Sequence, residues 1–145
     1  MMHVATPGRL PLTLNRKFHL SNYVSSHAQV LLRSGRSGYH DGEYLKYDSM
    51  VDVLFKNVSA LAVVDSYYPL VISEAEPSDF ERFSALLNVE LGNRKLYVLR
   101  GSDSMGYIVA GALYWADDPE GSASEESVLL GYQRARAVEV FEARS

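Results

Sequence analysis

Cysteine is absent from the 145 residues. That excludes disulfides, thiolate metal sites and a cysteine nucleophile, and it fits a reducing, cytoplasmic setting. No stretch reaches the roughly eighteen consecutive apolar residues of a membrane-crossing helix. The start of the chain lacks the apolar core of a secretory signal, so Asn57-Val58-Ser59 reads as a chance match to a glycosylation sequon. Histidine is scarce. His3, His19, His27 and His40 never fall at the spacing of a zinc-binding pair, so no metal and no cofactor is expected. Acidic residues are missing from positions 1–40, which carry Arg9, Arg16, Lys17, Arg33 and Arg36; the rest holds nine basic and eighteen acidic side chains. The basic residues are scattered and the net charge is −4. A nucleic-acid-binding stripe is therefore not expected, and neither is a membrane partner. No fixed-period repeat occurs, which removes solenoids and propellers.

What is present suits one globular domain spanning 1–145. A hydrophobic fraction of 47% is ordinary for such a domain. Residues 1–15, with Pro7, Gly8 and Pro11, read as a loose lead-in that ends as an edge strand. Phe18 and Leu20 alternate with polar neighbours as in a half-buried strand, and "AQVLLR" (Ala28 to Arg33) reads as a second. Val51, Val53 and Phe55 continue the period of two, as do Leu61 and Val63. Ser66 to Pro69 reads as a tight turn into the returning strand Leu70 to Ser73 of a hairpin. "KLYVLR" and "GYIVAGALYWA" are further strands, with Gly106 and Gly111 allowing bending or close backbone approach. "VLLGY" (Val128 to Tyr132) is the last apolar strand.

One segment reads as a helix. Pro77 suits a first helical turn, and Glu76, Ser78 and Asp79 put negative charge at its start. Phe80, Phe83, Leu87 and Leu91 then form one apolar stripe, and Gly92 offers a C-cap, predicting a helix over 77–91. Ala135, Val138 and Phe141 share one helical face, so a short terminal helix is read in 133–145. Strands cluster on either side of one helix and do not alternate with helices. This predicts an α+β domain dominated by an antiparallel β-sheet, as a meander or a curved, partly closed barrel. The core is expected to include Phe18, Leu20, Val30, Leu32, Val53, Phe55, Leu61, Val63, Val71, Tyr97, Leu99, Ile108, Ala110 and Leu129, with Phe80, Phe83 and Leu87 packing the helix onto the sheet.

Signals for catalysis are weak. Gly101-Ser102-Asp103-Ser104-Met105-Gly106 has the glycine spacing of a phosphate loop, but Tyr107 stands where lysine is needed and no helix follows. A nucleophile elbow fails because Asp103 stands where serine is required. The segment reads as a hairpin bend. The acidic stretch 117–127 reads as a flexible loop, and Asp48 and Asp52 read as solvated charge. An enzyme would have to assemble a site from distant residues such as His27, Tyr44 and Asp48, which nothing in their spacing demands.

Tyrosine is abundant, with ten residues. Tyr39, Tyr44 and Tyr47 share one polar segment, Tyr67 and Tyr68 precede Pro69, and Tyr114-Trp115 close a strand beside the acidic stretch. Tyrosine supplies large amphipathic contact area at low entropic cost. The expectation is a non-enzymatic protein-interaction module, with a protein partner or a second copy of itself as a homo-oligomer. The alternative is a β-rich domain with a tyrosine-rimmed pocket for a small molecule. The residues expected to carry binding are Tyr44, Tyr47, Tyr67, Tyr68, Trp115 and His27.

Overall fold

Six consecutive residues, Met50 to Phe55, are buried in a single strand. Neighbouring side chains on a strand point to opposite faces, so such a run requires cover on both sides. The computed structural model, which describes residues 5–24, 27–130 and 138–144, shows what supplies that cover. Among these residues, the strands are β1 (Thr6–Gly8), β2 (Leu12–Leu14), β3 (Phe18–Val24), β4 (Gln29–Ser34), β5 (Ser37–His40), β6 (Glu43–Lys46), β7 (Met50–Lys56), β8 (Ala60–Ala62), β9 (Ser66–Tyr67), β10 (Leu70–Glu74), β11 (Lys95–Arg100), β12 (Met105–Ala110), β13 (Ala112–Asp118) and β14 (Val140–Ala143). One helix, α1 (Pro77–Leu86), and one 3-10 turn (Val128–Leu130) complete the set.

The strands form three sheets. One has seven strands in the order β1-β14-β13-β7-β4-β3-β9, another has five in the order β2-β10-β11-β12-β8, and β5-β6 stands apart as a two-stranded hairpin. Pairings are antiparallel except β1 with β14. One apolar cluster joins Val30, Leu32, Val53 and Phe55 of the larger sheet to Ile72, Tyr97, Leu99 and Ile108 of the smaller. The two sheets thus pack face to face around a shared core. The outer face of the larger sheet is covered by Val128 and Leu129 over Leu31, Leu54 and Ala116. The outer face of the smaller sheet is covered by Phe83 of α1 over Leu96, Val98, Tyr107 and Val109. The α+β, predominantly antiparallel architecture expected from the sequence is therefore present. A closed barrel is not, among the described residues, because the sheets remain separate layers with free edges.

Several local expectations change. The helix ends at Leu86, not Leu91. Leu87 already has an extended backbone, and Leu87, Val89 and Leu91 tuck inward while Asn88 and Glu90 face out. Leu87 and Leu91 fit a period of four as well as a period of two, and packing selects the second. Phe80 is 39% exposed, and the inward positions of α1 are Asp79 and Phe83. In β10 the inward residues are Leu70 and Ile72, with Val71 only half-buried, because the strand enters one residue out of the expected phase. The expected hairpin across 61–73 does not form. β8 pairs with β12, β9 crosses to the larger sheet beside β3, and β10 lies between β2 and β11. "GYIVAGALYWA" is two strands in different sheets, divided at Gly111. A Cβ at Gly106 would collide with the Tyr67 hydroxyl, and one at Gly111 with the Asn57 side chain, so both glycines mark close approaches.

Val128–Leu130 is a 3-10 turn where the last strand was expected. Val140–Ala143 is a strand where a terminal helix was expected, held between β1 and β13; residues 131–137 lie outside the described residues. Within the expected lead-in, β1 and β2 form an edge of each large sheet. The Gly101–Gly106 segment is the bend of the β11–β12 hairpin, with Arg100 opposite Met105 and the Gly101 N–H donating to the Ser104 carbonyl at 2.9 Å. Among the described residues, no helix is long and apolar enough to cross a membrane.

Candidate functional site

The β5–β6 hairpin turns on Asp41-Gly42, with φ of +50° and +82°. Two successive positive φ values are what a two-residue hairpin turn of matching twist requires, and Asp-Gly is a favoured pair for it. The turn sets the register. Tyr39 falls opposite Tyr44 and His40 opposite Glu43. The Tyr39 and Tyr44 rings meet at 5.3 Å between centroids, and they are 67% and 55% exposed. Cross-strand aromatic pairs of this kind stabilise a sheet, yet here the pair lies on the solvent face. On the other face, His40 meets the edge of Tyr68 at 4.7 Å and its Nε2 lies 3.5 Å from Asp41 Oδ2.

Arginines from the basic half of the chain fix the hairpin's root. The Arg16 guanidinium lies 4.2 Å from the Tyr47 ring centre, a cation–π contact. It donates to Ser34 Oγ at 2.7 Å and to the Ser49 carbonyl at 2.6 Å. Burial lowers the Arg16 pKa from its usual value, and nearby Asp117 opposes that shift; arginine stays charged regardless. Arg36 donates to the carbonyls of Asp48, Gly121 and Pro119, while its own carbonyl accepts from the Tyr47 N–H at 2.7 Å. Lys17 Nζ donates to the Tyr39 carbonyl at 3.0 Å. The acidic stretch 117–127 is thereby anchored. Asp117 and Asp118 belong to β13, Asp118 and Ser127 are buried, and Arg33 donates to the Glu125 carbonyl at 2.8 Å. Asp52, expected in solvent, is buried at 1% exposure and paired with Arg33.

Of the residues expected to bind, Tyr44 is exposed on the hairpin, Tyr68 touches it through His40, and half-buried Tyr47 forms its root. Tyr67 and Trp115 lie in the core instead. Tyr67 is 1% exposed, its hydroxyl accepts from the Val64 N–H at 3.1 Å, and burial raises its pKa. Trp115 stacks on Phe141 at 5.8 Å and closes over Gly8, where a Cβ would run into its ring. His27 is exposed in the β3–β4 connection, and no hydrogen bond or ring contact among the described residues joins it to the hairpin group. Tyr39 and His40 complete the cluster. The signal for them was the Asp-Gly turn itself, which dictates the 39–44 and 40–43 pairs once the flanks are read as strands.

Among the described residues, no group of three or more histidine, aspartate or glutamate side chains is arranged to hold a metal ion. Fold and surface together define a two-layered, mostly antiparallel β-protein that carries a separate aromatic hairpin. No family model, curated protein or solved structure matches the chain.

Proposed function

We propose that this protein is a non-enzymatic interaction module of the cytoplasm that binds a protein partner, in the first instance a second copy of itself, through the β5–β6 hairpin. The observation that carries this reading is the Tyr39–Tyr44 pair, two large rings held in contact with each other and left in water. Exposed aromatics on a fixed support give much contact area for little ordering cost. The arginine-fixed root supplies that support. β5 and β6 pair as strands only with each other among the described residues, so apart from the Tyr39 carbonyl, which accepts from Lys17, their outer edges also offer backbone donors and acceptors to an added strand. The absence of cysteine supports the cytoplasmic setting.

Light scattering across a concentration series tests the reading. A mass that doubles with concentration, and that returns to one chain in the Tyr39→Ser/Tyr44→Ser variant at unchanged melting temperature, supports it. A strict monomer, combined with no discrete cross-linked product from a photoreactive group placed at position 44 in cells, overturns it.

A further inference from the structure

The hairpin is not the only unsatisfied feature of the surface. Where β1 leads into β2, the two large sheets part and leave a cleft of about 300 Å3 whose lining includes Leu10, Tyr97, Glu74, Glu76 and Arg144. It adjoins a second hollow of about 490 Å3 that shares Leu10 and Arg144 and adds Arg9. Tyr97 is 3% exposed, and no group among the described residues hydrogen-bonds its hydroxyl. Burial pushes its pKa up to about 12, with Glu74 and Glu142 adding to the rise. Tyr97 also contributes to the lining of the cleft. A buried hydroxyl without a partner is costly, and a ligand group that met it would recover that cost.

Glu74, Glu76 and Lys95 line the first hollow, Arg9 lines the second, and Arg144 lines both. Some of this charge is already used, since Lys95 pairs with Glu74 at 3.6 Å and Arg144 with Glu142 at 2.7 Å. Arg9 and Glu76 have no ion pair among the described residues. Leu10, Pro11 and Ala143 add apolar lining. A carboxylate without an ion pair in one hollow, a guanidinium without one in the next, and the apolar Leu10 shared by both match a molecule with an ammonium, an apolar body and a carboxylate. We propose that this cleft binds a small zwitterion of amino-acid or dipeptide size, its carboxylate on Arg9 and Arg144, its ammonium on Glu76, and a polar atom on the Tyr97 hydroxyl. The volume lies at the small end of ligand pockets, which suits that size. The site shares no residue with the hairpin and stands or falls separately from it.

The test is an NMR titration of the full chain with alanyl-leucine, its N-acetyl form and its C-terminal amide. The expected result is a saturable change at Tyr97, Leu10 and Ala143 with the free dipeptide, and binding about tenfold weaker for either capped form, the loss expected when one charged hydrogen bond goes. Arg9→Met should weaken the free dipeptide but not the amide, and Glu76→Gln should weaken the free dipeptide but not the N-acetyl form. Both variants should keep the parent melting temperature. No saturable change with the free dipeptide, or equal binding of free and capped forms, would overturn the site.

Discussion

Arg33 and Asp52 face each other across β4 and β7, with Nε 2.8 Å from Oδ1 and both side chains largely buried. Arg33 continues to the carbonyl of Glu125, a residue far along the chain. The uneven charge of the sequence is therefore structural. Arg16, Arg33 and Arg36, from the acid-free first forty residues, spend their donors on Asp52, on the Ser34 hydroxyl and on backbone carbonyls of later segments.

Removing one member of this pair leaves the other charge buried. Arg33→Met strands the Asp52 carboxylate and should cost about 3–5 kcal/mol. Arg33→Met/Asp52→Leu removes both charges and should recover much of that loss, because a well-packed apolar pair avoids the desolvation penalty. Urea unfolding of the two variants decides it. A double variant no more stable than the single would mean that the bond to the Glu125 carbonyl, and not the ion pair, carries the stability.

Helix α1 offers a sharper contrast. Phe83 is 3% exposed and meets the Tyr107 ring at 5.8 Å, whereas Phe80 is largely in solvent. Phe83→Ala should cost about 3–5 kcal/mol through lost burial and the cavity left behind, and Phe80→Ala within about 1 kcal/mol. Equal losses in thermal or urea unfolding would restore the Phe80, Phe83, Leu87 and Leu91 stripe suggested by the sequence. Asp79 is the other inward residue. It accepts from the Glu76 N–H and from Arg100 Nη2, each at 2.9 Å, so it ties the first helical turn to β11.

Gly106 and Tyr67 are coupled by space. A methyl group at 106 would run into the Tyr67 hydroxyl and approach the Ala62 carbonyl. Gly106→Ala should destabilise by about 1–3 kcal/mol, the usual cost of overpacking. Tyr67→Phe loses the bond from the Val64 N–H but opens the space, so the double variant should be more stable than the sum of the singles predicts. Additivity in a double-mutant cycle would show that the Ala62 carbonyl, not the phenol, blocks position 106.

The parts of the fold visible in the sequence were those set by short-range rules. The period-two pattern around Val53 and Phe55, the Pro77 start of α1 and the Gly101–Gly106 bend each depend on neighbours in the chain. What was hidden depends on distant partners. Nothing near Tyr67 reports that Gly106 leaves room for its ring, so its place before a proline suggested exposure. Arginine bonds to backbone carbonyls carry no residue signature, which is why Arg36 and the 117–127 stretch read as free charge. Leu87 and Leu91 satisfy both a helical and an extended period, and only the sheet beneath them decides. The tyrosine cluster was half-legible. Tyr44 stood out by composition, but its pairing with Tyr39 required reading Asp41-Gly42 as a turn that fixes register.

Tyr97 makes stability fall at alkaline pH. Its pKa is raised from 10.0 to about 12, first by burial and then by Glu74 and Glu142. Between these values the unfolded chain gives up the phenolic proton while the folded one keeps it. The unfolded state then binds fewer protons, and the free energy of unfolding decreases as pH rises. The contribution is complete below pH 10 and is lost on the way to about pH 12, amounting to about 2–3 kcal/mol. Urea unfolding at pH values across that window should show the decline in the parent and a shallower one in Tyr97→Phe, which cannot ionise. Parallel declines in the two proteins would assign the alkaline loss to the other raised tyrosines, Tyr67 and Tyr114, and would show that the Tyr97 hydroxyl is not held in a dry environment.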